Sequence, residues 1–328
     1  MKSIPQLLRR LLSALTLCAV AAMPAISQAA YPEQPIKMIV AYAPGGGTDI
    51  TARLVAQYMQ KHMGGNASIV VINRHGAGGG IGFAEISNAQ PDGYTIGFLN
   101  TPNVLTIPIQ RKSNFHWQNF DLLGNVIDDP GNFSIHSDTP IKSLGELVVY
   151  AKANPGKVTY GTTGLGSDDH LSAMMLERAA GVQLTHIPFK GAAEVHNAVA
   201  SKQIMVAAMN IGEALQYQKG GSPLRHLGQM SQARSTLAPN VPTFKEQGYD
   251  VIMASLRGVG APKNLPPAIR EQLVVALQKA VADPEFQAKA AGYFAPLRYL
   301  APPAYAAELK DAEAGFKQLW QVMPWAEK

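Results

Sequence analysis

Cysteine is nearly missing from the 328 residues: Cys18 is the only one, so no internal disulfide can form and a thiolate metal site is excluded. The eight histidines contain no H-E-x-x-H pairing, and no metal is expected. Charge is sparse too, at 16% of residues, with a net of +5. Part of that excess sits in Lys2, Arg9 and Arg10, ahead of an uncharged run from Leu11 to Ala22 and a Ser27-Gln28-Ala29 cleavage site. This is the layout of a secretory signal peptide over residues 1–29, with cleavage expected after Ala29 and Ala30 as the rival. The run is too short for a permanent membrane anchor, and no later stretch resembles a transmembrane helix. Leu17 is not the small residue that a lipid anchor at Cys18 would need. Cleavage removes Cys18 and takes the 28 basic residues to 25 against 23 acidic, a net of +2. The remaining basic residues are scattered, so no footprint for nucleic acid is left. The mature chain is expected to be exported, soluble and nearly neutral.

What the chain does have is alternation, over a length that suits two domains. Ile36–Tyr42 is an apolar run ended by Pro44 and three glycines, which reads as a buried strand. In Thr48–Met63, apolar residues at Ile50, Leu54, Val55, Tyr58 and Met59 make one helical stripe. Strands are expected at Ser68–Ile72 and Tyr94–Leu99, with a helix from Ile81 to Ala89 between them. The second half repeats the scheme with helices Leu144–Ala153, Asp168–Ala180 and Ala192–Ala200, and strands Val158–Tyr160, Leu184–Ile187 and Ile204–Ala208. From Pro266 the tail is helical, broken at Asp283-Pro284 and by a strand near Pro296–Leu300. Alternation of this kind predicts an α/β fold with a mostly parallel sheet and helices on both faces.

Three glycine-rich loops stand between strands and helices, at 43–49, 76–81 and 161–168. None is a dinucleotide fingerprint, because the sixth position counted from Gly45, Gly78 or Gly80 is Ile50, Phe83 or Glu85. Gly161 to Gly166 has P-loop spacing, but Ser167-Asp168 replaces the lysine and hydroxyl that phosphate needs. No G-x-S-x-G elbow surrounds Ser167. What remains is backbone chemistry. Glycines let a chain approach a ligand closely, and the first amides of a helix, with its positive end, favour an anion by about 0.3–1 kcal/mol per exposed terminus. If the loops converge, bare amides would grip a carboxylate; each alone is equally a tight turn.

The stretches YPEQPIKMIVAYAPGGGTDITARLVA (31–56), VINRHGAGGGIGFAEI (71–86) and ELVVYAKANPGKVTYGTTGLGSDDHLSA (146–173) together resemble the Bug-type, TctC-like solute-binding proteins of tripartite tricarboxylate transporters. PDGYTI, HIPFKGAAE, VPTFKEQGYDV and GAPKNLPPAIREQL follow in the family's order, so the resemblance spans the mature chain. It implies a two-lobed, type II-like periplasmic binding protein fold, α/β with mixed, mostly parallel sheets and two crossovers. The lobes are then residues 30–129 plus 256–328 and residues 130–255, with crossings near Asp129 and Ser255. It also implies a monomer in the periplasm that closes on a small organic carboxylate and delivers it to membrane permease subunits, without a cofactor and without catalysis.

Residue by residue, the resemblance places Tyr42, Gly45, Gly46, Gly47, Thr48 and Asp49 of the first loop at the ligand, with Tyr42 a wall or a core residue. Asp49 reads first as a helix-start acid, with Arg53 four residues on. Gly78, Gly79 and Gly80 come from the second loop, and Thr162, Thr163, Gly166, Ser167 and His170 from the third. Thr101, Asn103 and Asn210 face the distal end of a ligand. His75 stands where relatives often have proline, and Lys190 reads as a surface or capping lysine. Arg257 either pairs with a distal carboxylate or solvates the hinge; as the one further cation it leans the ligand toward an apolar or aromatic monocarboxylate or a small dicarboxylate over citrate. Two rival readings stay open: an exported enzyme using Ser167 and His170 on carboxylates, and an accessory that presents its ligand to a membrane sensor.

Overall fold

The computed structural model describes residues 31–326, so the signal-peptide expectation lies outside the described residues. Strand β1 (Ile36–Val40) is buried at every residue but Lys37, as expected of an inner parallel strand. Its neighbours are β2 (Ile69–Asn73) and β3 (Thr95–Asn100), both parallel to it, with Ile36 opposite Ile69 and Lys37 opposite Thr95. Helix α1 (Gly47–Met63) links β1 to β2 and buries Leu54, Val55, Tyr58 and Met59 of its stripe. Helix α2 (Gly80–Ser87) links β2 to β3, and α3 (Asn103–Gln110) follows β3.

The next strand, β4, runs 17 residues from Phe120 to His136. Asp128-Asp129-Pro130-Gly131 reads in sequence as a break, which hid this strand; in the structure it is where β4 changes partner. Up to Pro130 it pairs antiparallel with β9 (Ala254–Pro262), and from Gly131 on with β7 (Val206–Asn210). A proline is tolerated there because one ladder ends and the next begins. Asp129 lies opposite Ser255 in this register.

Helix α4 (Leu144–Ala153), capped by Ser143 on the Glu146 amide, leads to β5 (Thr159–Thr162) and α5 (Asp168–Ala180). Then come β6 (Thr185–Pro188), α6 (Ala192–Ala200), β7, α7 (Ile211–Lys219) and β8 (Leu224–Gln229). After β9 the chain forms α8 (Pro267–Ala282), α9 (Pro284–Gly292), β10 (Leu297–Leu300) and α10 (Pro302–Val322). The sheet order is β2-β1-β3-β9-β4-β7-β5-β6, with β8 and β10 also on β4. The sheet is mixed: the pairings made by β1 and β5 with their neighbours are parallel, and every antiparallel one involves β4 or β9.

Apolar side chains gather in two main cores. One holds Ile39, Phe83, Leu99, Phe120 and Tyr305; the other holds Phe133, Ile135, Tyr160, Leu171 and Phe244. Helix α10 reaches both, with Tyr305 and Leu309 in the first and Leu319 and Trp320 against the second, which Trp325 also enters.

Candidate functional site

The first glycine loop is shaped from within. Gly45 has φ +85°, which glycine adopts at little cost, and its amide donates to Asp49 Oδ2 at 3.0 Å. Asp49 also accepts from Arg53 and Asn73, both at 2.9 Å. Burial raises the Asp49 carboxyl, but Arg53, the Gly45 amide and Asn73 outweigh it and hold the pKa below the ordinary value. Asp49 therefore clamps its own loop.

Helix α1 begins with no side-chain cap from Gly46. The Gly47 amide donates instead to Glu213 Oε1, 2.9 Å away and 166 residues on in sequence. The same oxygen lies 3.1 Å from Arg257 Nη2 on β9. Arg257 is only 3% exposed and also meets Asp129 Oδ2 at 3.3 Å and Asn210 Oδ1 at 2.8 Å. Asn210 precedes α7 but does not cap it: its Nδ2 donates to Asp168 Oδ2 and to the Asp129 carbonyl, and Asp129 Oδ1 takes the Gly212 amide at 3.0 Å. Burial pushes Asp129 up to about 7, against the pull of Arg257 and with Glu213 adding to the rise. Burial likewise lifts Asp168 to about 6 and Asp169 well above the usual range.

These groups enclose a cavity of about 20 Å³, room for about one water-sized group. It is lined by Tyr42, Gly46, Gly47, Thr48, Asp49 and Asn100 together with Thr163, Asp168, Asn210, Glu213, Ser255 and Arg257. Further bonds hold the first loop against the second half. The Ala43 amide donates to the Lys190 carbonyl at 3.1 Å, and Tyr217 Oη donates to the Gly45 carbonyl at 3.0 Å. The first residue of α6 also faces Gly46, where an added Cβ would lie 3.6 Å from the Ala192 amide nitrogen. Tyr42 serves both as core and as wall, 8% exposed and edge-on to Phe83.

Thus the first and third loops share a hollow through Gly46, Gly47, Thr48, Asp49, Thr163 and Asp168, but the expectation of bare amides needs correction. Gly45 and Gly47 donate to carboxylates, and the Gly166 amide donates to His170 Nδ1. The Thr48 and Asp49 amides have no acceptor among the described residues. Gly78 and Gly79 border a different hollow of about 250 Å³ with Arg111, Thr163, Gly164 and Lys190. Gly80 borders a more open hollow beside Arg111. His75 is exposed.

Thr101, Asn103, Thr162, Ser167 and His170 are not among the residues that line the first cavity. Thr101 Oγ1 accepts from the Leu256 amide, Asn103 is buried in the first turn of α3, and Thr162 Oγ1 meets His186 Nε2 at 2.6 Å. Ser167 caps α5 by accepting from the His170 amide, and the His170 ring stacks on His186 at 4.2 Å. The serine and the ring are each committed elsewhere, which disfavours a nucleophile–base pair.

Burial, with His186 beside it, pushes His170 down to about 3, and burial pushes His186 to about 4. The folded state then binds fewer protons than the unfolded chain below the unfolded pKa of about 6.5. Stability from this pair is therefore full above that value and lost as pH falls toward about 4, by up to about 1.4 kcal/mol per pH unit and histidine. We expect the loss of Tm in His170→Gln, relative to wild type, to shrink between pH 7.5 and pH 5. A deficit independent of pH would contradict this.

A family model described as tripartite tricarboxylate transporter family receptor matches residues 51–293. The chain belongs to that receptor family. The receptor is 35% identical over 290 residues to a UPF0065 protein in the gbd 5′ region of Cupriavidus necator, across 87% of this chain and 86% of the relative. It matches the structure of the periplasmic binding protein BugD with a TM-score of 0.84 and 31% identity, over 91% of this chain and all of that one. It also matches R. palustris Rpa4515 with adipate at a TM-score of 0.81 and 25% identity, over 89% of this chain and 97% of that one. The receptor thus has the two-lobed α/β periplasmic binding protein fold and is a solute-binding protein, not an enzyme. Among the described residues no helix is long and apolar enough to cross a membrane, and no three side chains are grouped to hold a metal.

Glu213 is the functional candidate that sequence reasoning missed. Asn210-Ile211-Gly212-Glu213 has the form of a helix start with an acid at its third position, which reads as local capping. Its partners, the Gly47 amide at the head of α1 and Arg257 on β9, lie far away in sequence, and no local pattern announces them.

Proposed function

We propose that the receptor captures a small organic carboxylate at the head of α1 and delivers it to the permease of a tripartite tricarboxylate transporter. It would do so as a monomer in the periplasm, after loss of residues 1–29. One observation carries this reading: a carboxylate already sits in the seat. Glu213 Oε1 is held by the first amide of α1 and by Arg257, the donor set that an anionic guest needs. A ligand carboxylate replaces Glu213 there, and the Thr48 and Asp49 amides supply further donors. The adipate of Rpa4515 supports the same chemical class.

The lobes in this reading are residues 30–129 with 256–328, and residues 130–255, hinged where Asp129 and Ser255 face each other. Closure follows from contacts that a ligand gains only when both lobes meet it. Switching from 1:99 to 99:1 takes about 5.5 kcal/mol of differential affinity. Two to four hydrogen bonds to a charged group, at about 1.5–3 kcal/mol each, provide it. The test is calorimetric titration of the mature protein with mono-, di- and tricarboxylates. At least one is expected to bind, to raise Tm by mass action and to be recovered unchanged. Binding by none of them, or conversion to product, would overturn the proposal.

A further inference from the structure

We infer that Thr106 and Trp325 exchange one acceptor as the receptor opens: Thr106 holds the Gly166 carbonyl while the two halves meet, and the Trp325 indole takes it when they part. This rests on the two-lobe closure described above and names the residues that set its balance.

The first ground is an orphan donor. Trp325 is 0% exposed, yet its Nε1 has no acceptor among the described residues. Buried indole N–H groups ordinarily find a partner, and leaving one unpaired is costly. This nitrogen lies 3.0 Å from the point where a Cβ on Gly166 would stand, so it borders that glycine with nothing to donate to.

The second ground is a rival at the same residue. Thr106 Oγ1 lies 2.9 Å from that point and donates to the Gly166 carbonyl at 2.8 Å. The Gly166 amide is already given to His170 Nδ1. The carbonyl is thus the acceptor that both donors border, and its second lone pair lets the bond pass from one to the other without an unpaired stage.

The third ground is what each donor is moored to. Thr106 sits on α3, in the first half. Trp325 packs in the second core with Leu171 of α5, lies edge-on to Trp320, and follows Val322, whose carbonyl accepts from Arg178 of α5. The first half reaches this segment through Gln110 of α3, whose Nε2 donates to the Trp325 carbonyl at 3.0 Å. Parting the halves withdraws Thr106 and Gln110 together and leaves a released carbonyl beside a free indole. Thr163 and Asp168, on either side of Gly166 in the chain, line the cavity. The exchange therefore ties the C-terminal segment to the ligand seat and stabilises the open receptor.

The test fixes each state without a ligand. Gly46→Cys with Ala192→Cys locks the mature protein closed on oxidation, since the two Cβ atoms would stand 3.6 Å apart, close to the usual disulfide separation. Gly191→Val holds the halves apart. Its backbone is extended and accepts a side chain, but a Cβ there would lie 3.2 Å from the Ala43 amide nitrogen of the first half. Small-angle scattering compares the compactness of the two proteins. NMR follows the Trp325 indole N–H, assigned by its loss in Trp325→Phe. That signal is expected farther downfield, and at least tenfold slower to exchange, in Gly191→Val than in the locked protein. Thr106→Val placed in the locked protein should move it the same way, because the carbonyl is then released beside it. An indole unchanged by opening, in proteins that differ in compactness, would overturn this inference and leave the closure reading intact. Equal compactness of the locked and Gly191→Val proteins would overturn both.

Discussion

Arg257→Met is expected to abolish carboxylate binding and to destabilise the receptor by about 3–5 kcal/mol, the usual consequence of breaking a buried ion pair from one side. Methionine keeps much of the length but removes the charge. Asp129, Glu213 and Asn210 then lose their shared donor at a site 3% exposed. For a chain of this size the fall in Tm is roughly 6–10 °C. The pH dependence gives a second check. Arg257 now lowers the Asp129 carboxyl, which burial already holds up at about 7. Without the arginine its folded pKa rises further above the unfolded value. The folded variant then binds more protons than the unfolded chain, so its stability increases as pH falls through the folded pKa. The deficit against wild type should be largest above pH 8 and smaller near pH 5. Arg257→Lys keeps the charge but loses the planar fork, and should fall between the two. Wild-type Tm and affinity in Arg257→Met would contradict the role assigned to this residue.

Gly47→Val is expected to weaken binding at least a hundredfold. A Cβ at Gly47 would lie 2.4 Å from Arg257 Nη1 and 2.5 Å from Glu213 Oε1, both closer than real contacts allow. Arg257 is tied to Asp129 and Asn210 and cannot swing away to make room, even if Glu213 turns out. The substitution therefore fills the position where an anion meets the first amide of α1. The backbone itself tolerates a side chain, because Gly47 is an ordinary helical residue without positive φ. The loss should appear in titrations more than in Tm, since an opened cleft leaves the two main cores intact. Retained affinity would mean that the guest is held elsewhere.

How far the sequence leads depends on the range of the interaction. Helices Leu144–Ala153, Asp168–Ala180 and Ala192–Ala200 start and stop where local periodicity and breakers place them. The first glycine loop and the start of α1 were legible for the same reason, since Asp49 bonds both the Gly45 amide and Arg53 within nine residues of chain. Strand β4 was not, because Pro130-Gly131 is a local break signal that the sheet uses as a change of partner. The second glycine loop looks like the first, yet Gly78 and Gly79 border another hollow, and only topology decides that. Arg257 was visible as a hinge cation, but its burial was not. Glu213 reached its role through a contact spanning 166 residues, to which no local pattern points.

The most direct measurement is a crystal structure of the receptor with its carboxylate bound. A ligand oxygen is expected within about 3 Å of the Gly47 amide and of the Arg257 guanidinium, with the Glu213 carboxylate turned out of that position. A complex in which Glu213 still accepts from Gly47 while the ligand lies elsewhere, for instance in the hollow beside Gly78 and Lys190, would contradict it.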